Sequence, residues 1–276
     1  MRYGQIVRLA SVEEAENKFS LLKADGFDLA QVVYKPEVYT REDALAIRDA
    51  ADKAGIEITA VFAGFRDSFT KWNIYSDYKD AGINSEEYGR GRVEYLKGAA
   101  GFVRDLGITD MLIHAGFVAN DPFSREYLYM VEVLRDLASY VGSLGVNILL
   151  EVGGESPITL KRLIEDTGCA NIYVNLDTAN LIMYGYGNPV DAIYTLGEHI
   201  RSIHIKDGVP PTETKTLGKE VDFGTGFADF PKIIRMLTER GFRGPVIIER
   251  EIPDDRGRDE IIRTKAELDH IFANVG

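Results

Sequence analysis

Four side chains that can bind a metal ion or move a proton stand at the ends of short apolar runs. They are Glu151, Asp177, His204 and Glu249, and each is the last residue of its run. A polar group at the carboxyl end of a parallel strand points into the mouth of the sheet. Three carboxylates and one imidazole meeting there would form a hard, oxygen-rich site for one divalent cation. The residue types therefore predict a metal centre with these four ligands.

Each of these side chains also has a structural alternative, because a lone carboxylate at a strand end often caps a helix or pairs with an arginine. The combination favours the metal site. Anionic groups gathered at a partly buried mouth repel one another, and a divalent cation removes that repulsion. Alternation along the strands agrees, because Asn175 shares a strand face with Asp177. Ser202 shares a face with His204 in the same way.

The elements that would position this quartet alternate between strand-like and helix-like patterns along the chain. Strands are predicted at 4–9, 29–34, 57–62, 111–114, 147–151, 172–177, 200–204 and 246–249. Amphipathic helices are predicted at 12–24, 41–54, 86–106, 126–143, 158–167, 189–197, 230–240 and 258–273. Eight strands, each followed by a helix, predict an α/β protein, a single (β/α)8 TIM barrel forming one domain over residues 1–276. A doubly wound open sheet is the alternative, but no Gly-x-Gly-x-x-Gly follows the first strand.

Turns and loops complete this pattern. Glycines just past the predicted helix ends indicate left-handed C-caps, at Gly26, Gly55, Gly107, Gly145, Gly168 and Gly241. Two connections are unusually long, namely 64–85, which is rich in aromatic residues and includes Trp72, and 208–226. Both follow strands at the carboxyl face, where long loops form lids or substrate walls. A subunit interface is the alternative for the aromatic loop.

Composition excludes several classes of function. The chain has 276 residues, of which 45% are hydrophobic, and 44 acidic against 32 basic residues give a formal charge of −12. This charge disfavours binding to nucleic acid or to an anionic membrane. No run approaches the roughly 18 apolar residues of a membrane span, and no signal peptide is recognisable, so we expect a cytoplasmic protein. Cys169 is the single cysteine, and we expect it to be an inert packing residue.

The ordered motifs resemble the sugar phosphate isomerase/epimerase superfamily, also called xylose isomerase-like TIM barrels. The segments that carry the resemblance are 150–152, 175–181, 203–207, 223–230 and 248–249. The resemblance implies that Glu151, Asp177, His204 and Glu249 bind one divalent ion, with Mn²⁺ favoured and Co²⁺, Mg²⁺ or Zn²⁺ as alternatives. It also implies that Glu151 and Glu249 transfer protons, that the substrate is a small carbohydrate, and that the protein is a homo-oligomer (dimer or tetramer).

Departures from the family's patterns narrow this expectation. Free-ketose 3-epimerases usually carry a histidine three positions after the ligand aspartate, where this chain has Asn180. They also carry an arginine shortly after the metal histidine, where this chain has Pro210 and Pro211. Endonuclease IV needs additional histidines for a zinc cluster, but the chain has only 4 histidines in total. A nuclease is therefore disfavoured, and the carbohydrate substrate stays open.

The chemistry expected of such a site starts from a keto-sugar whose carbonyl is polarised by the cation. One carboxylate removes the neighbouring proton to give an enediolate, and a second returns a proton. Return on the opposite face gives epimerisation, return to the adjacent carbon gives isomerisation, and loss of a β-substituent gives elimination. The leading hypothesis is a metal-dependent keto-sugar or cyclitol isomerase/epimerase. The alternative is a lyase, either inosose dehydratase-like or acting on 3-oxo-glycosides, and a barrel that only binds a sugar or a protein is third.

Further residues are candidates for contact with the substrate: His114, Asn180, Glu155, Trp72, Lys206 and Arg250. His114 ends the fourth predicted strand, and a structural histidine is its alternative. Lys206 and Arg250 closely follow metal ligands. We expect them to face away from the mouth unless the strand has already ended, and to pair with Asp207 or Glu251.

Overall fold

The computed structural model describes residues 2–65, 81–85, 87–252 and 255–275. Its strands are β1 (Tyr3–Val7), β2 (Leu29–Val33), β3 (Glu57–Phe62), β4 (Asp110–Ile113), β5 (Asn147–Glu151), β6 (Ile172–Asp177), β7 (Ile200–Ile205), β8 (Asp207–Val209), β9 (Lys219–Val221) and β10 (Val246–Ile248). Its helices are α1 (Glu14–Ala24), α2 (Ala44–Ala54), α3 (Gly89–Asp105), α4 (Arg125–Ser143), α5 (Pro157–Thr167), α6 (Asn180–Tyr184), α7 (Pro189–Leu196), α8 (Phe230–Glu239) and α9 (Gly257–Val275).

The sheet closes on itself. Strands follow one another around the wall in the order β1-β10-β7-β6-β5-β4-β3-β2, and every pair between neighbours is parallel. Gly4 of β1 lies opposite Leu29 on one side and Ile247 on the other, so neither side of β1 is an open edge. The predicted (β/α)8 TIM barrel is therefore confirmed, and the doubly wound sheet is excluded.

Two separate clusters of apolar side chains stabilise the barrel. The larger one packs the helices against the outside of the wall and includes Phe19, Ile47 and Leu134. The smaller one consists of Ala60, Leu112 and Leu149, with Phe62 and Tyr173 packed against it. Since Leu149 lies two residues before Glu151 on the same strand face, this cluster fills the barrel beneath the quartet. The site therefore stands on a packed interior rather than over an open channel.

Local signals in the sequence explain where the helices begin and end. In the described part of the chain, four helices begin with a side chain that accepts the backbone N–H three residues ahead, at Ser124, Ser156, Asn188 and Asp229. The predicted C-cap glycines Gly26, Gly55, Gly107, Gly145, Gly168 and Gly241 all adopt positive φ, between 68° and 82°. These caps stop each helix before the next strand, so that the strand ends align at one face.

The structure adds two elements that the sequence pattern did not indicate. The predicted loop 208–226 contains an antiparallel hairpin in which β8 pairs with β9, with Gly208 opposite Glu220. The short helix α6 follows β6 directly. Each hairpin strand has three residues and α6 has five, which is too short for a hydrophobic period to develop. Most of the predicted aromatic loop, including Trp72, lies outside the described residues.

No helix in the described ranges is long and apolar enough to cross a membrane.

Candidate metal centre

The four predicted ligands meet at the carboxyl end of the barrel. Glu151, Asp177 and His204 are on β5, β6 and β7, and Glu249 directly follows β10. These strands are consecutive neighbours in the wall, and Asp177 lies opposite His204 in the register. One donor atom from each residue lies within 4.8 Å of the others, and all four residues are buried. Three oxygen donors and one nitrogen donor at this spacing fit a single divalent ion.

His204 is held on both ring nitrogens. Its Nδ1 lies 2.9 Å from Glu151 Oε1 and 3.3 Å from Glu249 Oε2. Its Nε2 lies 2.8 Å from the side-chain oxygen of Gln31, whose amide nitrogen in turn donates to Ser202 Oγ at 3.3 Å. Because the Gln31 oxygen can only accept, Nε2 carries the hydrogen and Nδ1 is directed at the carboxylates. Gln31 thus sets the orientation of the ring.

Asp177 is anchored through one of its two oxygens. Its Oδ1 accepts the backbone N–H groups of Ala179 and Asn180, at 2.7 and 2.8 Å, where the chain turns into α6. Its Oδ2 makes no hydrogen bond within the described part of the chain, and lies 3.0 Å from Lys206 Nζ. The turn therefore leaves Oδ2 directed at the mouth. The side-chain amide of Asn180 does not contact Asp177 but donates to Val152 O at 3.2 Å. This hydrogen bond connects the loop after β5 to α6.

Lys206 lies in the site, which was expected only if the strand had already ended, and β7 does end at Ile205. Its Nζ donates to Glu249 Oε2 at 2.9 Å and to Glu251 Oε2 at 2.7 Å. The reason is the period of a strand, since residues two apart share a face and Lys206 is two beyond His204. The expected pairing with Glu251 is present, but the same ammonium also contacts two of the predicted ligands.

The buried charges shift one another's pKa values. Burial disfavours the charged form of each group, but Lys206 and His204 hold the pKa of Glu249 well below its usual value. His114 and His204 lower the pKa of Glu151 in the same way. Burial raises the pKa of Asp177 to about 7, with Lys206 opposing the shift. The pKa of His204 rises to about 10, because Glu151 and Glu249 outweigh its burial. The imidazolium of His204 and the ammonium of Lys206 therefore neutralise the carboxylates around them.

A small recess opens beside the quartet. His114 directly follows β4, its Nε2 lies 3.1 Å from Glu151 Oε2, and its side chain is 25% exposed. Asn180 and Tyr184 of α6 line the same recess, together with the backbone of 152–154. A molecule in this space would touch His114 and Glu151 at once. Tyr184 is an addition to the residues expected from the sequence.

The remaining sequence candidates lie at different distances from the quartet. Glu155 is 4% exposed on the loop after β5, its Oε1 has no hydrogen-bond partner among the described residues, and burial raises its pKa to about 8. Arg250 directly follows Glu249, and its Nη1 contacts Asp222 Oδ1 at 3.3 Å, beyond the end of β9, where pairing with Asp207 or Glu251 was expected. Trp72 lies outside the described residues.

Sequence reasoning missed Gln31 and Glu251. Gln31 is fully buried within the apolar run 29–33. Because buried amides are almost always hydrogen-bonded, a lone amide in such a run indicates a polar partner inside the barrel. Glu251 offers no such signal, because it follows the last strand on an exposed segment, and only the fold brings it to Lys206.

Comparison with known proteins agrees with the barrel fold. A solved structure described as a xylose isomerase domain protein from Planctomyces limnophilus is 31% identical, with a TM-score of 0.89 over 99% of this chain and 98% of that chain. The L-ribulose 3-epimerase structure has a TM-score of 0.75 at 20% identity, covering 99% of this chain and 95% of its own. The structure of the 3-keto-D-glucoside 4-epimerase from E. coli has a TM-score of 0.74 at 16% sequence identity, covering 98% of this chain and 99% of its own. These last two likenesses establish the fold.

Among curated proteins, the inosose dehydratase of Clostridium botulinum (strain Alaska E43 / Type E3) is 24% identical over 143 residues. The match covers 46% of this chain and 48% of that protein, so the chain spans about half the length of the curated relative. The family model described as xylose isomerase-like TIM barrel matches residues 19–271, which is most of the chain and includes the whole quartet. The chain therefore belongs to the xylose isomerase-like TIM-barrel family.

Proposed function

We propose that the protein is a divalent-metal-dependent isomerase or epimerase acting on a keto-sugar or cyclitol, with Mn²⁺ as the favoured ion. The observation that carries the proposal is the convergence of Glu151, Asp177, His204 and Glu249 within 4.8 Å at the mouth of the barrel. The resemblance of the fold to several sugar epimerases supports the substrate class.

The two glutamates are suited to proton transfer. A bound ion would polarise the substrate carbonyl and stabilise negative charge that develops beside it. Glu151 and Glu249 both contact His204 Nδ1, so they reach the same point from different strands. Their lowered pKa values keep them ionised, as a base requires. One ionised glutamate removes the proton beside the carbonyl to give an enediolate. The other glutamate, after taking up a proton from water, donates that proton on the opposite face to give the epimer, whereas return of the first proton to the adjacent carbon gives the isomer.

Substrate binding is assigned by the same proposal to groups around the mouth. His114 directly follows β4, Glu155 lies on the loop after β5, and Asn180 is the first residue of α6. These three side chains are proposed to hold hydroxyl groups of the substrate. Lys206 and Arg250 keep the role of candidates for polar contact. Trp72, which follows β3 in the sequence and lies outside the described residues, stays the proposed apolar wall for a sugar face.

The proton-transfer pair predicts that Glu151→Gln and Glu249→Gln each reduce turnover by about 10²–10⁴-fold, because a glutamine cannot accept the proton. The assay is an NMR screen of keto-sugars, keto-acids and inososes with added Mn²⁺, accompanied by elemental analysis of the purified protein. The control is Glu132→Gln, which removes an exposed carboxylate on the outer helix α4. Activity like that of the wild type in either site variant would remove that glutamate from the mechanism.

A lyase is the second candidate, and the partial match to inosose dehydratase favours it. The first proton transfer is the same, but the electron pair then expels a β-hydroxyl or an alkoxide, which leaves with a proton. Release of water or of an aglycone distinguishes this outcome from a change of configuration at one carbon. Exchange of the substrate proton in D₂O does not, because both routes pass through the same enediolate.

Assembly and location stay predictions of the proposal. We expect a homo-oligomer, a dimer or a tetramer, in the cytoplasm. Light scattering coupled to size-exclusion chromatography measures the assembly directly, and a monomer at micromolar concentration would contradict that part of the proposal.

A further inference from the structure

Lys206 is a buried cation placed among the groups that would bind a metal ion. Its side chain is 2% exposed, and its ammonium lies within 3.0 Å of three carboxylates, those of Asp177, Glu249 and Glu251. A lysine buried to this extent needs such partners, because its charge is costly away from water. The cluster therefore gains a positive charge from the chain itself.

Two of the three contacts fall on oxygens that a metal ion would need. Asp177 Oδ1 is occupied by two backbone N–H groups, so the free oxygen of Asp177 is Oδ2, which faces Lys206. Glu249 Oε2, the oxygen next to His204 Nδ1, is the one that accepts from Lys206. A divalent ion and an ammonium on the same pair of oxygens would repel each other strongly at this separation. The two cations are therefore competitors.

The third contact offers the ammonium a second position. Glu251 Oε2 is 2.7 Å from Lys206 Nζ, and the Glu251 side chain is 55% exposed, whereas those of Asp177 and Glu249 are buried. The carboxylate of Glu220 lies beside it and accepts the backbone N–H of Glu251 at 3.0–3.2 Å. An ammonium that leaves Asp177 and Glu249 thus has an acidic partner at the outer edge of the mouth.

We propose that Lys206 is an internal counter-cation that occupies the ligand carboxylates in the metal-free protein and moves toward Glu251 when a divalent ion binds. This inference rests on the proposed metal centre. It gives Lys206 two opposite effects, since the ammonium stabilises the protein without metal and weakens its affinity for metal. A lysine that merely packs in the site would stabilise both forms equally.

The test measures Mn²⁺ affinity by isothermal titration calorimetry on the full chain, for the wild type, Lys206→Gln and Lys206→Met. The control is Lys53→Met, which removes one charge from an exposed position in the last turn of α2. We expect both Lys206 variants to bind Mn²⁺ about 10-fold more tightly than the wild type or more. Their melting temperatures should be lower without metal, and Mn²⁺ should remove most of that deficit. Unchanged or weaker affinity in Lys206→Gln overturns the proposal.

A structure of the wild-type protein with Mn²⁺ keeps the test independent of how the variants fold. The proposal requires Lys206 Nζ to have left Asp177 Oδ2 and to remain near Glu251, and an ammonium still on both Asp177 and Glu249 overturns it. Failure of the metal centre itself would be distinct, because the wild type and every variant would then bind no Mn²⁺. That result would overturn the proposed function together with this inference.

Discussion

The ring of His204 shows how one ligand is prepared by residues that do not bind the ion. Gln31 accepts from Nε2 and is itself oriented by Ser202, so Nδ1 is the nitrogen that meets Glu151. A hydrogen bond of this kind fixes the tautomer and raises the basicity of the ligand. Nothing else within the described residues is shown to hold the Nε2 side of the ring.

Replacing Gln31 with methionine should weaken Mn²⁺ binding by about 10–100-fold, because Nε2 loses its acceptor and the ring can turn. Calorimetry measures the affinity, and thermal unfolding checks that the barrel persists. Gln5→Met is the matched control, since Gln5 lies on the adjacent strand β1 and lines a groove outside the barrel. Equal affinity in Gln31→Met and the wild type would mean that packing alone orients His204.

Glu155 predicts a dependence of stability on pH. Burial raises its pKa to about 8, above the roughly 4.3 of a glutamate in an unfolded chain. The unfolded chain therefore loses this proton first as the pH rises. The free energy of unfolding is therefore highest below about pH 4 and falls as the pH rises. It levels off once the carboxyl of the folded protein also ionises, near pH 8. Burial of Glu155 therefore lowers the free energy of unfolding across the neutral pH range.

Glu155→Gln should remove that decline, so the variant gains stability relative to the wild type between pH 5 and pH 8, on the order of 2–4 kcal/mol. Urea unfolding at the two pH values measures the difference. Glu132→Gln on α4, an exposed position, should show no such change. A constant difference between Glu155→Gln and the wild type would contradict a raised pKa.

At the scale of elements, the segment that follows β7 depends on one carboxylate. Asp207 accepts the backbone N–H groups of Gly208, Gly226 and Ala228 at 2.8–3.1 Å. A Cβ on Gly226 would lie 2.2 Å from Asp207 Oδ1, so the turn closes around the carboxylate only with glycine there. The hairpin β8–β9 is thereby tied to the turn that leads into α8.

Asp207→Ala should lower the free energy of unfolding by about 2 kcal/mol, because three buried or half-buried donors lose their charged acceptor. Urea denaturation measures the loss, and Asp136→Asn, at an exposed position of α4, serves as the control. If Asp207→Ala unfolds with the same midpoint as the control, the turn is held by its backbone conformation instead.

Elements with a clear period could be predicted, and short or polar ones could not. All eight barrel strands begin and end within two residues of their predicted bounds, because buried parallel strands have the pattern of apolar runs. The hairpin strand 219–221 is Lys-Glu-Val and carries no such run. The orientation of Lys206 was left open by the sequence, because it depended on where β7 ends; the strand ends at Ile205, and the even step from His204 keeps both side chains on one face. Glu251 reaches the site only through the tertiary fold.

For the whole molecule, the four donors predict that a bound ion stabilises the entire barrel. Their strands lie side by side, and an unfolded chain does not hold the four groups together, so binding favours the folded state. Mn²⁺ at 100 times its Kd should add about 2.7 kcal/mol to the free energy of unfolding relative to protein treated with a chelator. Differential scanning calorimetry measures the rise in Tm. The Asp177→Asn variant should lose most of this rise in Tm. A wild-type Tm that does not change when Mn²⁺ is added would exclude binding of the ion at the quartet.

The donors occupy only one arc of the rim, from β5 through β6 and β7 to β10, while β1 to β4 supply none of them. The opposite arc carries the His114 end of β4. Its loops can therefore be lengthened, shortened or rewritten during evolution with no ligand lost. One ion-binding half can thus serve barrels that accept differently shaped molecules, which gives this architecture a route to new substrates that leaves the reactive centre intact.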